Sequence, residues 1–174
     1  MTVRIRPGEP GDAPALVALA SAVGAETGGW LLADARWRSI ADERRYVRAL
    51  RRHPDAALLV AEDGEELVGR LSLARDPHPS SAHVADLGLM VAATHRRRGI
   101  GTALMREAER WADVVGVTKL ELHVFPHNDA AIALYEKLCY EREGYRKGHY
   151  RRPDGQLVDA ILMAKRLDSE GGRA

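Results

Sequence analysis

The stretch Leu89-Met90-Val91-Ala92-Ala93-Thr94-His95-Arg96-Arg97-Arg98-Gly99-Ile100-Gly101-Thr102-Ala103-Leu104 constrains this chain more than any other. An apolar strand, His83 to Val91, ends at a short basic loop. Two glycines then open a helix whose apolar positions, Ile100, Ala103, Leu104, Ala108, Trp111 and Val115, recur at helical spacing. Glycines at that place let backbone N–H groups approach a ligand closely, and a helix N-terminus adds partial positive charge. With three consecutive arginines the segment reads as a site for a phosphate or pyrophosphate. The alternative is a basic, flexible helix start.

Around this unit the pattern alternates between the two periods. Val3 to Arg6 alternates like a strand, and Leu16, Leu19, Ala20 and Val23 mark a helix after Pro10-Gly11-Asp12. A second helix, about Asp34 to Arg52, is expected to turn Trp37, Ile40, Val47 and Leu50 inward and seven Arg outward, as a solvated face. Residues 57–61 and 66–73 read as a hairpin about an Asp-Gly turn. His83 to Val91 is apolar at nearly every position and is expected to be buried on both faces. Lys119 to Phe125 is a strand, Ala131 to Leu138 a short helix, and Glu141 to Arg151 and Gln156 to Arg166 close the chain as a hairpin. The order is that of an α/β (α+β) domain with a mostly antiparallel sheet of about seven strands and about four helices. It spans residues 1–168 as one domain, with 169–174 a polar tail.

Composition removes several classes of function. There are 26 Lys+Arg against 25 Asp+Glu, a net charge of +1, which argues against nucleic-acid binding by bulk charge. One cysteine, Cys139, excludes an intramolecular disulfide and a multi-Cys zinc site, so no metal is expected. No apolar run reaches the roughly 18 residues that span a bilayer, and a cytoplasmic setting is the expectation. Arg outnumbers Lys 22 to 4, usage that looks like a GC-rich genome, so an isolated Arg run is not over-read. The sole Asn, Asn128, stands out against that background.

A P-loop needs Gly-Lys-Ser/Thr after four spacers, and a dinucleotide fingerprint needs a third Gly where Leu104 stands; neither fits. What fits is Arg-x-x-Gly-x-Gly at Arg96, Gly99 and Gly101. It resembles the acetyl-CoA pyrophosphate loop of the GNAT family (GCN5-related N-acetyltransferases). One strand later, Asn128-x-x-Ala131-x-x-x-Tyr135-Glu136-Lys137-Leu138 is similar to that family's other cofactor motif. The resemblance covers nearly the whole chain. The segments His83 to Gly88 and Gly155-x-x-Val158-Asp159 through Met163 look like the branch of bacterial L-amino-acid N-acetyltransferases and relatives acting on amino-acid-like toxins. Cys139-Tyr140 departs from the usual Gly-Phe, with a consequence expected for the turn after the helix.

The resemblance implies an N-acetyltransferase with acetyl-CoA as co-substrate. By position, the backbone of Leu89, Met90 and Val91 would pair with pantetheine and offer an N–H to the oxyanion. Arg96, Arg97, Arg98, Gly99, Ile100, Gly101 and Thr102 would hold the pyrophosphate, and Asn128 and Ala131 the pantetheine arm. Tyr135 would be the general acid at sulfur. Asn128 reads equally as a helix N-cap, and Tyr135 as a core aromatic on the face of Ala131, Leu134 and Leu138.

The chemistry has to deprotonate an amine, stabilise an oxyanion and release a thiol of pKa about 8.5. Two candidates present themselves for the base, Asp86 in its apolar strand and His123, five residues before Asn128; each reads also as a satisfied structural polar group, and a water chain ending at either is a third arrangement. Acceptor recognition is expected from Glu26 to Asp34, with Trp30, and from the last hairpin. There Arg142, Arg146, Lys147, His149, Arg151 and Arg152 interleave with Tyr145 and Tyr150. Such a wall suits a substrate carboxylate, hence a small-molecule amine as partner, without nucleic acid or membrane; the fold admits a homodimer. Acceptors of another kind, a protein N-terminus or lysine, and a non-catalytic acyl-CoA-binding module remain as alternatives.

Overall fold

The computed structural model describes residues 3–31 and 37–167. The expected polar tail and the start of the second helix near Asp34 lie outside these residues. Seven strands form one sheet in the order β1-β2-β3-β4-β5-β7-β6: β1 Val3–Pro7, β2 Ala56–Asp63, β3 Glu66–Arg75, β4 Val84–Val91, β5 Lys119–Val124, β6 Glu141–Arg151 and β7 Leu157–Arg166. Every neighbouring pair is antiparallel except β4 with β5. Among the described residues the α-helices are α1 Ala13–Gly24, α2 Ile40–Arg52, α3 Ile100–Val115 and α4 Asp129–Lys137.

Strand alternation sends side chains to two layers. Leu59, Leu71, Leu73, Ala85, Leu87 and Leu120 meet Leu104, Met105, Ala108 and Ala112 of α3 and Ile132 and Tyr135 of α4. On the opposite face Leu16 of α1 and Val47 of α2 pack on Leu58 and Val60. The helices thus bury complementary apolar stripes against one sheet, the arrangement that their sequence periods imply.

Three expectations change. Helix α2 begins at Ile40 because Ser39 is extended (φ −63°, ψ 157°) and its hydroxyl accepts from Asp42 N–H, an N-cap. Ile40 faces solvent (44% exposed), and the inward residues are Glu43 and Val47, with Tyr46 and Leu50 packed beside them. Strand β4 is not buried on both faces: Ala85 and Leu87 face the core, whereas Asp86 and Gly88 open into a cavity.

The turn after α4 keeps its geometry despite Cys139. Tyr140 N–H donates to Tyr135 O (2.9 Å) and Cys139 N–H to Glu136 O (3.0 Å), with the Tyr135 and Tyr140 rings 6.1 Å apart. This is a Schellman motif, whose left-handed residue is ordinarily Gly. Cys139 holds φ +65° with its side chain exposed, strain without compensating packing. Cys139→Gly is therefore expected to stabilise the fold by about 1 kcal/mol, read as a higher urea midpoint at unchanged m-value.

Candidate active site

Strands β4 and β5 pair only from Val84↔Lys119 to Asp86↔Glu121; beyond that they part. Ala92 N–H donates to Val68 O and Asp76 N–H to Val84 O, so the even-numbered residues of β4 face β3. Leu87, Leu89 and Val91 consequently turn their N–H and C=O into the opening. Met90 does not: its backbone lies in the β3 ladder opposite Arg70, which corrects the expectation that all three consecutive residues offer backbone to a ligand.

The opening leads to two cavities. One, of about 580 Å³, is lined by Val91, Arg96, Arg97, Gly99, Ile100, Gly101, Thr102 and Leu134. The other, of about 530 Å³, is lined by Trp37, Tyr46, Ser72, Asp86, Gly88, His123, Phe125 and Tyr150. Trp30, Leu31, Leu89, Asn128, Ala131 and Tyr135 border both, so the cavities meet at one place.

The first cavity ends at the N-terminus of α3. Gly99 caps the helix in the left-handed region (φ +81°) and supplies no side chain, leaving the first-turn N–H groups to a ligand. A Cβ on Gly101 would sit 2.9 Å from Leu134 Cδ2, so a larger residue there would make the Leu134 side chain shift. Asn128 Oδ1 accepts from Ala131 N–H (3.2 Å), the expected N-cap, which leaves its amide NH2 for the cavities that it borders.

Arg96 has other partners than expected. Its guanidinium is bidentate to Glu26 (2.7 Å each) and its Nε donates to Val91 O (3.0 Å). The pair holds the Glu26 carboxyl below the usual carboxylate range. Glu26 also accepts from Trp30 Nε1 (2.8 Å). Arg152 donates to Gly29 O and Leu31 O, and His127 bonds Gly28 O (3.0 Å). Trp30 stacks on His127, which stacks on Phe125. These contacts strap residues 26–31 across the junction of the cavities. Glycine at 28 is a consequence, since a Cβ there would meet the Trp30 ring at 2.1 Å.

Tyr135 is 6% exposed, and its hydroxyl makes no hydrogen bond among the described residues. Burial holds that hydroxyl above the ordinary tyrosine value of 10. Asp86 opens onto solvent through the second cavity yet is crowded by protein; that crowding, with repulsion from Glu121, pushes its carboxyl up to about 6, while Arg146 opposes the rise. His123 Nδ1 lies 2.5 Å from Tyr150 Oη, and its imidazole is pulled down by burial and by Arg146 and His149. Of the basic, aromatic hairpin only Tyr150 borders the cavity. Arg142 pairs with Glu136, Tyr145 with Asp159, and Arg152 serves the strap. The expected wall is thus divided: Arg142, Tyr145 and Arg152 have other partners, whereas Arg146, His149 and Tyr150 stay beside His123.

Behind the second cavity lies a charged cluster that sequence reasoning missed. Glu43 and Arg70 are 0% and 3% exposed, with Nη1 and Oε1 3.1 Å apart at an angle too poor for a hydrogen bond, so charge alone holds this contact. Trp37 Nε1 and Arg38 donate to the other Glu43 oxygen (3.1 Å each). Both guanidiniums lie over the Trp37 and Tyr46 rings, which line the cavity. The available signals were Arg70 inside the apolar run Val68 to Leu73, and Glu43 on the helical face of Val47 and Leu50.

The sheet thus splits beside a glycine-opened helix, and two cavities meet at a buried tyrosine. The chain belongs to the GNAT family of acetyltransferases: the family model described as Acetyltransferase (GNAT) family matches residues 27–139. It is 38% identical over 124 residues to the L-amino acid N-acetyltransferase AaaT of Escherichia coli (strain K12), an alignment covering 71% of this chain and 76% of that protein. The crystal structure of the GNAT-family acetyltransferase from Streptococcus pneumoniae superposes with a TM-score of 0.85 at 26% identity, covering 95% of this chain and 99% of that one. yncA from Salmonella typhimurium, solved with its cofactor acetyl-CoA, shares the fold at a TM-score of 0.84 and 17% identity, over 100% of this chain and 99% of that one. The protein is an N-acetyltransferase of this family. Among the described residues no helix is long and apolar enough to cross a membrane.

Proposed function

We propose that this enzyme transfers the acetyl group of acetyl-CoA to the primary amine of a small molecule, an amino acid or an amino-acid-like compound. The meeting of the two cavities at Leu89, Asn128, Ala131 and Tyr135 carries the reading, because a thioester in one would present its carbonyl to an amine in the other. The likeness to an L-amino acid N-acetyltransferase and the limited volume of the acceptor cavity, about 530 Å³, support a small acceptor.

Acetyl-CoA supplies an activated acyl group on a good leaving group, so the protein's task is alignment and management of one proton. The N–H groups of Leu89 and Val91 receive the pantetheine arm as an added strand and donate to the carbonyl oxygen as charge develops. The first-turn N–H groups of Ile100, Gly101 and Thr102, with the loop of Arg97 and Arg98, hold the pyrophosphate. Arg96, tied to Glu26 and Val91, holds the loop and the strap in place rather than the phosphate. Asp86, ionised above about pH 6, draws the ammonium form of the acceptor to the junction. Tyr135 donates its hydroxyl hydrogen toward sulfur.

A thiol-release screen with acetyl-CoA against free amines and, in parallel, unstructured peptides tests the reading. Acetylation of peptides alone would overturn it in favour of a protein acceptor. Acetyl-CoA without added metal is expected to raise Tm; at 100 times Kd the stabilisation is about 2.7 kcal/mol, roughly 5–10 °C for a chain of this size. Absence of any shift at saturation removes acetyl-CoA from the site.

A further inference from the structure

His123 and Asp86 both border the acceptor cavity, yet neither explains why a side chain from the far edge of the sheet reaches His123 there. Tyr150 belongs to β6, and β7 separates β6 from β5. Its ring reaches the β5 face because the ladder slips: Arg146 pairs with Ala160 but Tyr150 with Val158, so three residues of β6 oppose one of β7. The bulge is fixed by Gly148, which takes φ +56° and donates its N–H to Asp159 Oδ1 (2.6 Å). The result sets Tyr150 Oη 2.5 Å from His123 Nδ1, with the His149 ring against both, 4.5 Å from the Tyr150 ring and 5.2 Å from that of His123. Bulges beside active sites characteristically re-aim a side chain.

We propose that Tyr150 relays a proton from the acceptor amine to His123. The inference rests on the acetyl-transfer reading above. As the N–H bond of the ammonium breaks, its proton passes to the Tyr150 oxygen while the Tyr150 O–H proton passes to His123 Nδ1. The amine is left neutral, the tyrosine unchanged and His123 an imidazolium, so charge and protons balance. His149, exposed and with its ring 5.2 Å from that of His123, stands between that imidazole and solvent on one side. The charges around the pair are of both signs. Asp86 of β4 and Glu121 of β5 are the nearby carboxylates and repel one another, whereas Arg146 and His149 of β6 act against an imidazolium at His123. From β7, Asp159 is committed to Gly148 N–H and Tyr145. Burial, with Arg146 and His149 beside it, lowers the basicity of His123 and keeps it neutral near pH 7, ready to accept.

The relay predicts that Tyr150→Phe lowers kcat about 10- to 100-fold, with KM for acetyl-CoA within about twofold and the same acetyl-CoA thermal shift as the wild type, which also reports folding. The pH profile of the variant should keep rising toward the pKa of the free amine instead of levelling where the wild type does. His123→Gln, which retains an acceptor for the tyrosine but cannot take up a proton, should lose as much, and the double variant no more than either single one. Side-chain 15N-detected NMR of His123 should show its titration displaced in Tyr150→Phe. An active wild type with an unchanged profile, or an unchanged His123 titration, in Tyr150→Phe overturns the relay alone. A wild type that acetylates no amine at all overturns the acetyl-transfer reading, and the relay with it.

Discussion

Tyr135→Phe is expected to lower kcat about 100-fold at every pH, with the thermal shift on acetyl-CoA unchanged. The physical reason lies in where the hydroxyl sits. It is buried at the junction of the cavities and bonds to nothing among the described residues, so the folded protein loses no hydrogen bond when it is removed. Burial keeps it protonated throughout the working range. A tyrosine held above pKa 10 cannot hand its proton fully to a thiolate whose conjugate acid lies near 8.5. Its contribution is a hydrogen bond to sulfur as negative charge gathers there, and that contribution does not titrate. The Tyr135→Phe profile should thus keep the wild-type shape at a lower level, whereas Tyr150→Phe should change the shape itself. An unchanged kcat removes Tyr135 from the mechanism.

The contrast between these two tyrosines shows what was legible in the sequence. Tyr135 stands in a motif at fixed spacing from Asn128, and helical periodicity alone puts it on the inner face of α4. Helix α3 begins and ends where its glycines and apolar stripe indicate. Tyr150 was visible only as one of several ring and cation positions on a hairpin, because its orientation depends on a bulge that strict alternation does not encode. Arg96 followed the family pattern, yet its guanidinium is held by Glu26, seventy residues away along the chain, a pairing that no local pattern announces. Ion pairs of this kind, together with β4 opening on one face, are products of tertiary packing rather than of local propensity.

Glu43→Ala is expected to destabilise the protein by about 3–5 kcal/mol, a large part of the 5–15 kcal/mol that ordinarily holds a domain folded, and to lower Tm by on the order of 10 °C. The substitution leaves the Arg70 guanidinium, 3% exposed, without its carboxylate and removes the shared acceptor of Trp37 and Arg38. Desolvation already pulls the Arg70 guanidinium down, with Glu43 the chief opposing influence. Stability measured in urea should recover part of the loss when Arg70→Met is added, since the buried, unpaired guanidinium is then gone although the smaller Ala side chain still leaves space and Trp37 and Arg38 still lack their acceptor. A Glu43→Ala loss below about 1 kcal/mol would mean that the cluster tolerates an unpaired guanidinium, for example by admitting water. The recovered double variant separates stability from function: Trp37 and Tyr46, which line the acceptor cavity, lose one of the two cations that lie over both rings, and Arg38 loses the carboxylate that holds the other. KM for the amine should rise several-fold while KM for acetyl-CoA, bound beyond the junction, stays where it was.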